Sequence, residues 1–440
     1  MTTPTRRDLL IGGAALGGAM LAGGRVLAQR ADDTPAPAAP PPVYNTRDAL
    51  GGHTPVITPN GTSLPWKKVG GTKVFHLVAE PVKHELAPGL VVEAWGYNGR
   101  VHGPTIEVVE GDRCRFYVTN KLGESTSVHW HGVIVPNGMD GVGGLTQRTI
   151  GPGETFRYEF TFRHAGTFMY HPHVDEMTQI ALGMTGMIVV HPRRVLRGRR
   201  PARDYAIMLH EWEVPIGTAR PNPVAMTEFN VLTMNARAWP GTEPLVAQTG
   251  ERVRIRLGNL SPMEHHPIHL HGHSFKVVET DGGQVPAGAQ WPETTVLVPV
   301  GSVRVIETVV APGDWPLHCH MTHHIMNQMG HDAENAIGAD LSDVAKKTRS
   351  LLPRYMVMGT EGMAGMGMDE MNMPVPKNSI PMLGGPGPFG HIDMGGMFTI
   401  LKVRDKLDGA GDPGWYEHPK GTVAVEATPD ELRADGIEPG

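Results

Sequence analysis

Cysteine is nearly absent from this chain, with two in 440 residues, Cys114 and Cys319. Two cysteines build no disulfide framework, and a chain of this length can bury a sizeable core without one. Charge is sparse too: 19% of residues, with a mild formal net charge of -6. That balance argues against a nucleic-acid partner. Beyond one short Gly/Ala-rich stretch near the start, no segment approaches the roughly twenty apolar residues needed to span a membrane. What the chain has in abundance is Gly (56), Pro (39), His (23) and Met (24). The first two suit an all-β protein with many turns. The last two point to ligation of a soft-to-borderline metal.

The run Thr5-Arg6-Arg7-Asp8-Leu9-Leu10 reads as a twin-arginine export signal. A weakly apolar stretch to Gly24 follows, and Val26-Leu27-Ala28 offers a cleavage site. This predicts a signal peptide at 1–28, no membrane anchor, and a mature protein that is periplasmic or secreted. Residues 29–48 read as a Pro/Ala-rich linker.

The rest of the chain repeats itself. Pro104 to Asn120 and Pro244 to Asn259 both alternate apolar and polar residues across a Gly-acidic turn, the pattern of two half-buried strands. At the same distance after each Pro stands a histidine, His129 or His269, with a second His and a Gly following: His131-Gly132 and His271-Gly272. Further on, His171-Pro172-His173 matches His318-Cys319-His320, and Met184 to Met187 matches Met394 to Met397. The body therefore reads as a tandem duplication of one β-sandwich, with boundaries expected near 49–198 and 199–405. The second copy carries an insertion at about 331–393, including a helix expected over Asp340 to Leu352. Ten methionines fall between 356 and 397. Residues 406–440 form a polar, turn-rich tail.

A His-x-His on a strand puts both rings on one face. Four such pairs occur at matching places of the two copies: His129/His131, His171/His173, His269/His271 and His318/His320. One pair alone is commonly a satisfied core or surface feature, but four in register are not a packing pattern. Eight imidazoles converging where two related domains meet suffice for three metal ions with open positions. The second copy adds His266, Cys319, His324 and Met329. Two imidazoles, a thiolate and a weak axial thioether are the ligands of a blue-copper centre. At those places the first copy has Thr126, Pro172, Met177 and Leu182, so no such centre forms there. Cys319 lies covalently between His318 and His320, which links the two metal sites through two peptide units, about a dozen ångströms of backbone.

These motifs resemble the multicopper oxidase family, in its laccase-like, two-domain form with the type 1 copper in the second domain. They are His129-Trp-His131-Gly, His171-Pro-His173, His266-Pro-Ile-His269-Leu-His271 and His318-Cys-His320-Met-Thr-His-His324. The resemblance covers about 50–330 and the closing strand near 397–405. It implies two tandem cupredoxin-like domains and four copper ions per active unit. Type 1 copper takes His266, Cys319, His324 and Met329. Type 2 takes His129 and His269, and the type 3 pair takes His131, His171, His173, His271, His318 and His320. One departure is Gln328, where the family has Gly before the axial Met. The stretch from His173 to His266 is too short for the further domain that three-domain members carry. In two-domain members the cluster forms between domain one of one subunit and domain two of the next, which implies a homotrimer.

The implied reaction couples four one-electron oxidations of a small reducing substrate to reduction of O2 to water. The substrate is a phenolic or aromatic compound, or Cu(I). Asp140 stands where the family carries an acid that relays protons; its alternative reading is a turn Asp. Cys114 falls on the inward face of a strand and is expected in the core. Met356, Met358, Met363, Met366, Met368, Met371 and Met373 form a candidate accessory Cu(I) site, against the alternative of a surface loop. Three further readings are a dedicated cuprous oxidase for copper tolerance, a periplasmic copper-sequestering protein without turnover, and a copper nitrite reductase. The last needs a blue site in the first domain, where Pro172 stands.

Overall fold

The computed structural model describes residues 46–194, 200–227, 229–327, 346–347, 350, 377–381, 384–409 and 411–438. The expected signal peptide and nearly all of the linker, Gln328, Met329 and the seven candidate accessory methionines lie outside these residues. Three positions of the helix expected over Asp340 to Leu352 are described, Lys346, Lys347 and Ser350, and all three are helical.

The described residues form an almost entirely β structure, in four main sheets. The first sandwich pairs a five-stranded sheet, built around Thr72–Ala87 and Arg113–Asn120, with a four-stranded one. The four-stranded sheet runs Ile106–Val109, Gly186–His191, Gly166–His171, His129–His131. The second sandwich pairs an eight-stranded sheet, centred on Arg203–Trp212, Arg252–Asn259 and Ser302–Val309, with a five-stranded one. That five-stranded sheet runs Leu245–Gln248, Phe398–Arg404, Gly313–Cys319, His266–Leu270, Thr295–Val298. Strand alternation sends every second side chain inward, so each sandwich has its own apolar core. Phe116, Trp130 and Tyr158 lie in the first core, Ile255, Leu270 and Leu317 in the second. Cys114 is fully buried in the first, and its repeat partner Val253 in the second.

The sandwiches join through a third apolar layer. Met169, Met187 and Val189 of the first pack with Ala206, Met208 and Val305 of the second. Fully burying side chains of this size contributes about 1.5–3 kcal/mol each, so the joint is a stable part of the fold. The strand Val56–Ile57, which precedes the first sandwich in sequence, pairs in parallel with Asp204 and Tyr205 of the second. The repeat pattern gives no sign of this exchange. Among the described residues, no helix is long and apolar enough to cross a membrane.

One device recurs in both copies. Asn120 and Asn259, each fully buried at a strand end, hold the following loop from inside. The Asn120 amide donates to the Glu124 and Ile150 carbonyls, and its oxygen accepts from Leu122 N–H. The Asn259 amide donates to the Glu264 and Val298 carbonyls, and its oxygen accepts from Ser261 N–H. Each side chain satisfies three backbone groups that would otherwise be buried unpaired.

Candidate metal centre

Both histidine quartets form from the same two-strand unit. In the first sandwich His129–His131 runs antiparallel to Gly166–His171, with His129 opposite His171. In the second, His266–Leu270 runs antiparallel to Gly313–Cys319, with His269 opposite His318. The residue between each pair points the other way. Trp130, Leu270 and Cys319 are fully buried, while the flanking imidazoles gather at the sheet end.

The rings of each quartet lie close together. Centroid separations run from 5.3 Å (His129–His171) to 6.1 Å (His171–His173) in the first. They run from 4.8 Å (His269–His271) to 5.7 Å (His269–His318) in the second. His131 Nδ1 stands 3.3 Å from His171 Nε2, and His271 Nε2 stands 3.0 Å from His318 Nε2. Two opposed ring nitrogens at such distances suit a shared ion better than a structural hydrogen bond.

The second ring nitrogens are anchored in matching ways. His129 Nδ1 bonds the Asp140 carbonyl at 2.7 Å, and His269 Nδ1 bonds the Thr294 carbonyl at 2.7 Å. His171 Nδ1 and His318 Nδ1 each bond the carbonyl of the next residue, Pro172 and Cys319, at 2.8 Å. A carbonyl fixes the proton on Nδ1 and leaves Nε2 free to ligate, the usual support of a metal-binding imidazole. Burial lowers the pKa of His171 to about 3 and also lowers those of His131, His271 and His318, so these rings stay neutral and able to ligate. Asp140 lies beside His129 through its carbonyl, and its carboxylate Oδ1 is 3.4 Å from the same Nδ1.

Three of the four expected blue-copper ligands, His266, Cys319 and His324, gather separately, inside the second sandwich. His266 Nδ1 and His324 Nδ1 are 3.2 Å apart, and Cys319 Sγ is 3.4 Å from His324 Nδ1 and 3.9 Å from His266 Nδ1. All three residues are buried. Burial pushes the Cys319 thiol up to about 12, so it ionises only if a cation is present to hold the thiolate. The donor set, one thiol and two imidazoles within ligand distance of a common point, fits copper.

The outer faces of these rings are held by residues that sequence reasoning missed. Ser261 Oγ lies 2.8 Å from His266 Nε2, and Glu264 Oε2 lies 2.9 Å from His324 Nε2. Burial raises the Glu264 carboxyl, but the hydrogen bond and charge of His324 outweigh it and leave its pKa lowered. Behind it, Glu211 is fully buried and accepts from Met263 and Glu264 N–H. Burial and then the Glu264 charge push its carboxyl above the ordinary range.

In the first sandwich the equivalent interior holds no ligands. Thr126 Oγ1 donates to Gln179 Oε1 at 2.7 Å, the Gln179 amide donates to the Ser125 carbonyl, and the short helix Glu176–Ala181 replaces the ligand loop. Met177 is exposed on that helix and Leu182 is buried.

Residues 79–195 and 216–338 match two family models, each described as multicopper oxidase. "Multicopper oxidase MmcO" of Mycobacterium tuberculosis is 31% identical over 48% of this chain and 47% of its own length. "Laccase-1" of Cryptococcus neoformans var. grubii is 31% identical over 44% of this chain and 35% of its own. The chain thus spans half or less of these curated relatives. The solved structure of "Multicopper Oxidase mgLAC" superimposes with a TM-score of 0.56 at 26% identity, covering 80% of this chain and 91% of that one. With both sandwiches matched, the chain belongs to the multicopper oxidase family.

Proposed function

We propose that this protein is a laccase-like multicopper oxidase that takes single electrons from a small reducing substrate and reduces O2 to water. The observation that carries this reading is the strand Gly313–Cys319 and its continuation. Cys319 points into the sandwich at His266 and His324, and its neighbours His318 and His320 point to the quartet outside. One stretch of backbone therefore serves both sites. Copper bound at His266, Cys319, His324 and Met329, and three more ions at the quartets, would supply the one-electron chemistry and the reduction of O2.

The residues' own tasks follow from their positions. Carbonyl anchors on Nδ1 hold His129, His171, His269 and His318 with Nε2 free to ligate. The interior of the second sandwich keeps water from Cys319. Asp140, with a partly exposed carboxylate beside His129, is positioned to pass protons inward. Among the described residues, no ring of one quartet contacts a ring of the other, and each quartet is partly open to solvent. A complete three-copper pocket then needs the first quartet of one chain against the second quartet of another, as in a homotrimer. Segments next to the quartets carry exposed apolar side chains: Ile134 and Leu145 on one, Leu297 and Met321 on the other. Such patches favour burial between subunits.

One geometry favours Cu(I) as the substrate. Glu264 touches His324, and the adjacent Met263 is half exposed. An exposed thioether next in sequence to that carboxylate offers a soft donor for Cu(I), and the carboxylate adds attraction for its charge. Oxygen consumption by copper-loaded protein, measured with a phenol and with Cu(I), tests both readings. Uptake with one O2 per four electrons supports the oxidase. No uptake with either reductant leaves only sequestration. Met263→Leu slowing cuprous but not phenol oxidation selects the metal substrate.

A further inference from the structure

We propose that the cleft between the two sandwiches is a binding site for a small polyanion, one bearing at least two carboxylate or phosphate charges. The cleft encloses 670 Å3, a volume typical of small-molecule sites. A second hollow of 480 Å3 continues it, sharing Arg200, Pro201, Arg252 and Val309 and adding Arg47 and Glu251, the latter already paired with Arg203 at 3.0 Å. Five cations line the main cleft, Arg194, Arg200, Arg252, Arg254 and Lys276, against two carboxylates, Glu279 and Glu307.

The two carboxylates are already committed. Glu307 is held by Arg254 at 2.7 Å through Nε, and Glu279 by the fully buried Arg256 at 3.1 Å. Arg256 also grips Asp204 through two bonds of 2.8 Å. The floor is thus rigid and internally neutralised. The rim is not: Arg194, Arg200 and Lys276 have no carboxylate partner among the described residues. Arg200 reaches a backbone carbonyl, that of Gly52, at 2.7 Å. A concave site with an excess of one charge focuses the field on an incoming counter-charge. Arginine forks match carboxylate and phosphate geometry. Ser274, Gln284 and Gln290 add neutral hydrogen-bonding groups.

None of the candidate copper ligands lines this cleft, so it is separate from the redox centre. Its walls come from both sandwiches: His53, Pro192 and Arg194 on one side, Arg252, Ser274 and Lys276 on the other. A bound anion would bridge the two and stiffen their joint.

Calorimetric titration of the copper-loaded protein at fixed ionic strength tests this. The probes are inorganic phosphate and benzene-1,3,5-tricarboxylate, a rigid trianion that chelates copper poorly. Saturable binding of one anion per chain is expected, weakening as salt is raised. The probe that binds more tightly tells phosphate from carboxylate. Arg194→Glu with Lys276→Glu should weaken binding by ~10-fold or more. Lys67→Glu with Lys68→Glu, an equal charge change on the far sheet, should leave it unchanged. Unaltered copper content and circular dichroism show that the variants fold; Lys276→Gln serves if the double reversal does not. Absence of saturable heat with either probe, or equal weakening by both double variants, overturns the proposal.

Discussion

At the place where the second sandwich holds Cys319, the first holds Pro172, and where the second gathers His266 and His324, the first closes a hydrogen bond between Thr126 and Gln179. The two copies otherwise share their strands, their buried Asn, their carbonyl-anchored histidines and their His-x-His spacing. Duplication kept everything that shapes the sheet end and let the interior diverge. The quartets depend on strand register, which both copies need in order to fold. A thiolate site depends on the loop that follows the strand ending at Cys319, and at the matching place in the first sandwich stands the helix Glu176–Ala181.

The largest effect tests that divergence. Cys319→Ser should remove any blue absorption and cut turnover by several orders of magnitude, while Cys114→Ser should leave both intact. Steady-state oxygen uptake and the visible spectrum decide it. Comparable losses from the two would mean that the copies are not functionally distinct.

Next comes the pairing of quartets between chains. His129→Ala and His320→Ala should each be inactive alone. Mixed after mild dissociation, or co-expressed, they should regain a measurable fraction of activity, because some interfaces then carry two intact quartets. A mixture as inactive as its components would show that each chain builds its own cluster.

The shared scaffold predicts symmetry instead. Asn120→Ala and Asn259→Ala each strand three backbone groups, and each should cost roughly 2–4 kcal/mol in denaturant unfolding. A cost confined to one sandwich would break the structural equivalence.

The smallest effect concerns pH. His191 is buried against Glu107 at 2.7 Å, and burial lowers its pKa from 6.5 to about 3. The unfolded chain binds this proton at higher pH than the folded one. Stability contributed by neutral His191 is therefore full above pH 6.5 and lost as pH falls toward 3, by about 1.4 kcal/mol per pH unit at most. His191→Asn should flatten the acid side of the stability curve by that amount or less; an unchanged slope would place the proton elsewhere.

The sequence made the quartets legible because ligands spaced by two on a strand must share a face, and because the copies check one another. It made Cys114 legible as core for the same reason. Glu264 and Ser261 escaped notice because their contacts arise from a turn that folds back over His266 and His324, and no periodicity encodes that. Asn120 and Asn259 stood in plain view at the same place in both copies, but a polar residue at a strand end reads as a turn until its burial is known. The strand Val56–Ile57 joins the sheet of the other sandwich, and nothing in a two-residue segment signals its partner. The basic cleft draws its lining from far-apart segments that meet only in the folded chain.

In the proposed oxidase the Cys319 thiolate is wired through its own backbone to an imidazole cluster. Copper-loaded protein, reduced without air and then exposed to oxygen while absorbance is followed near ~600 nm, tests this directly. A blue band that bleaches on reduction and returns with oxygen, with about four copper ions per chain, is the predicted result. Protein that takes up copper yet stays colourless, or a band that does not return with oxygen, would contradict it.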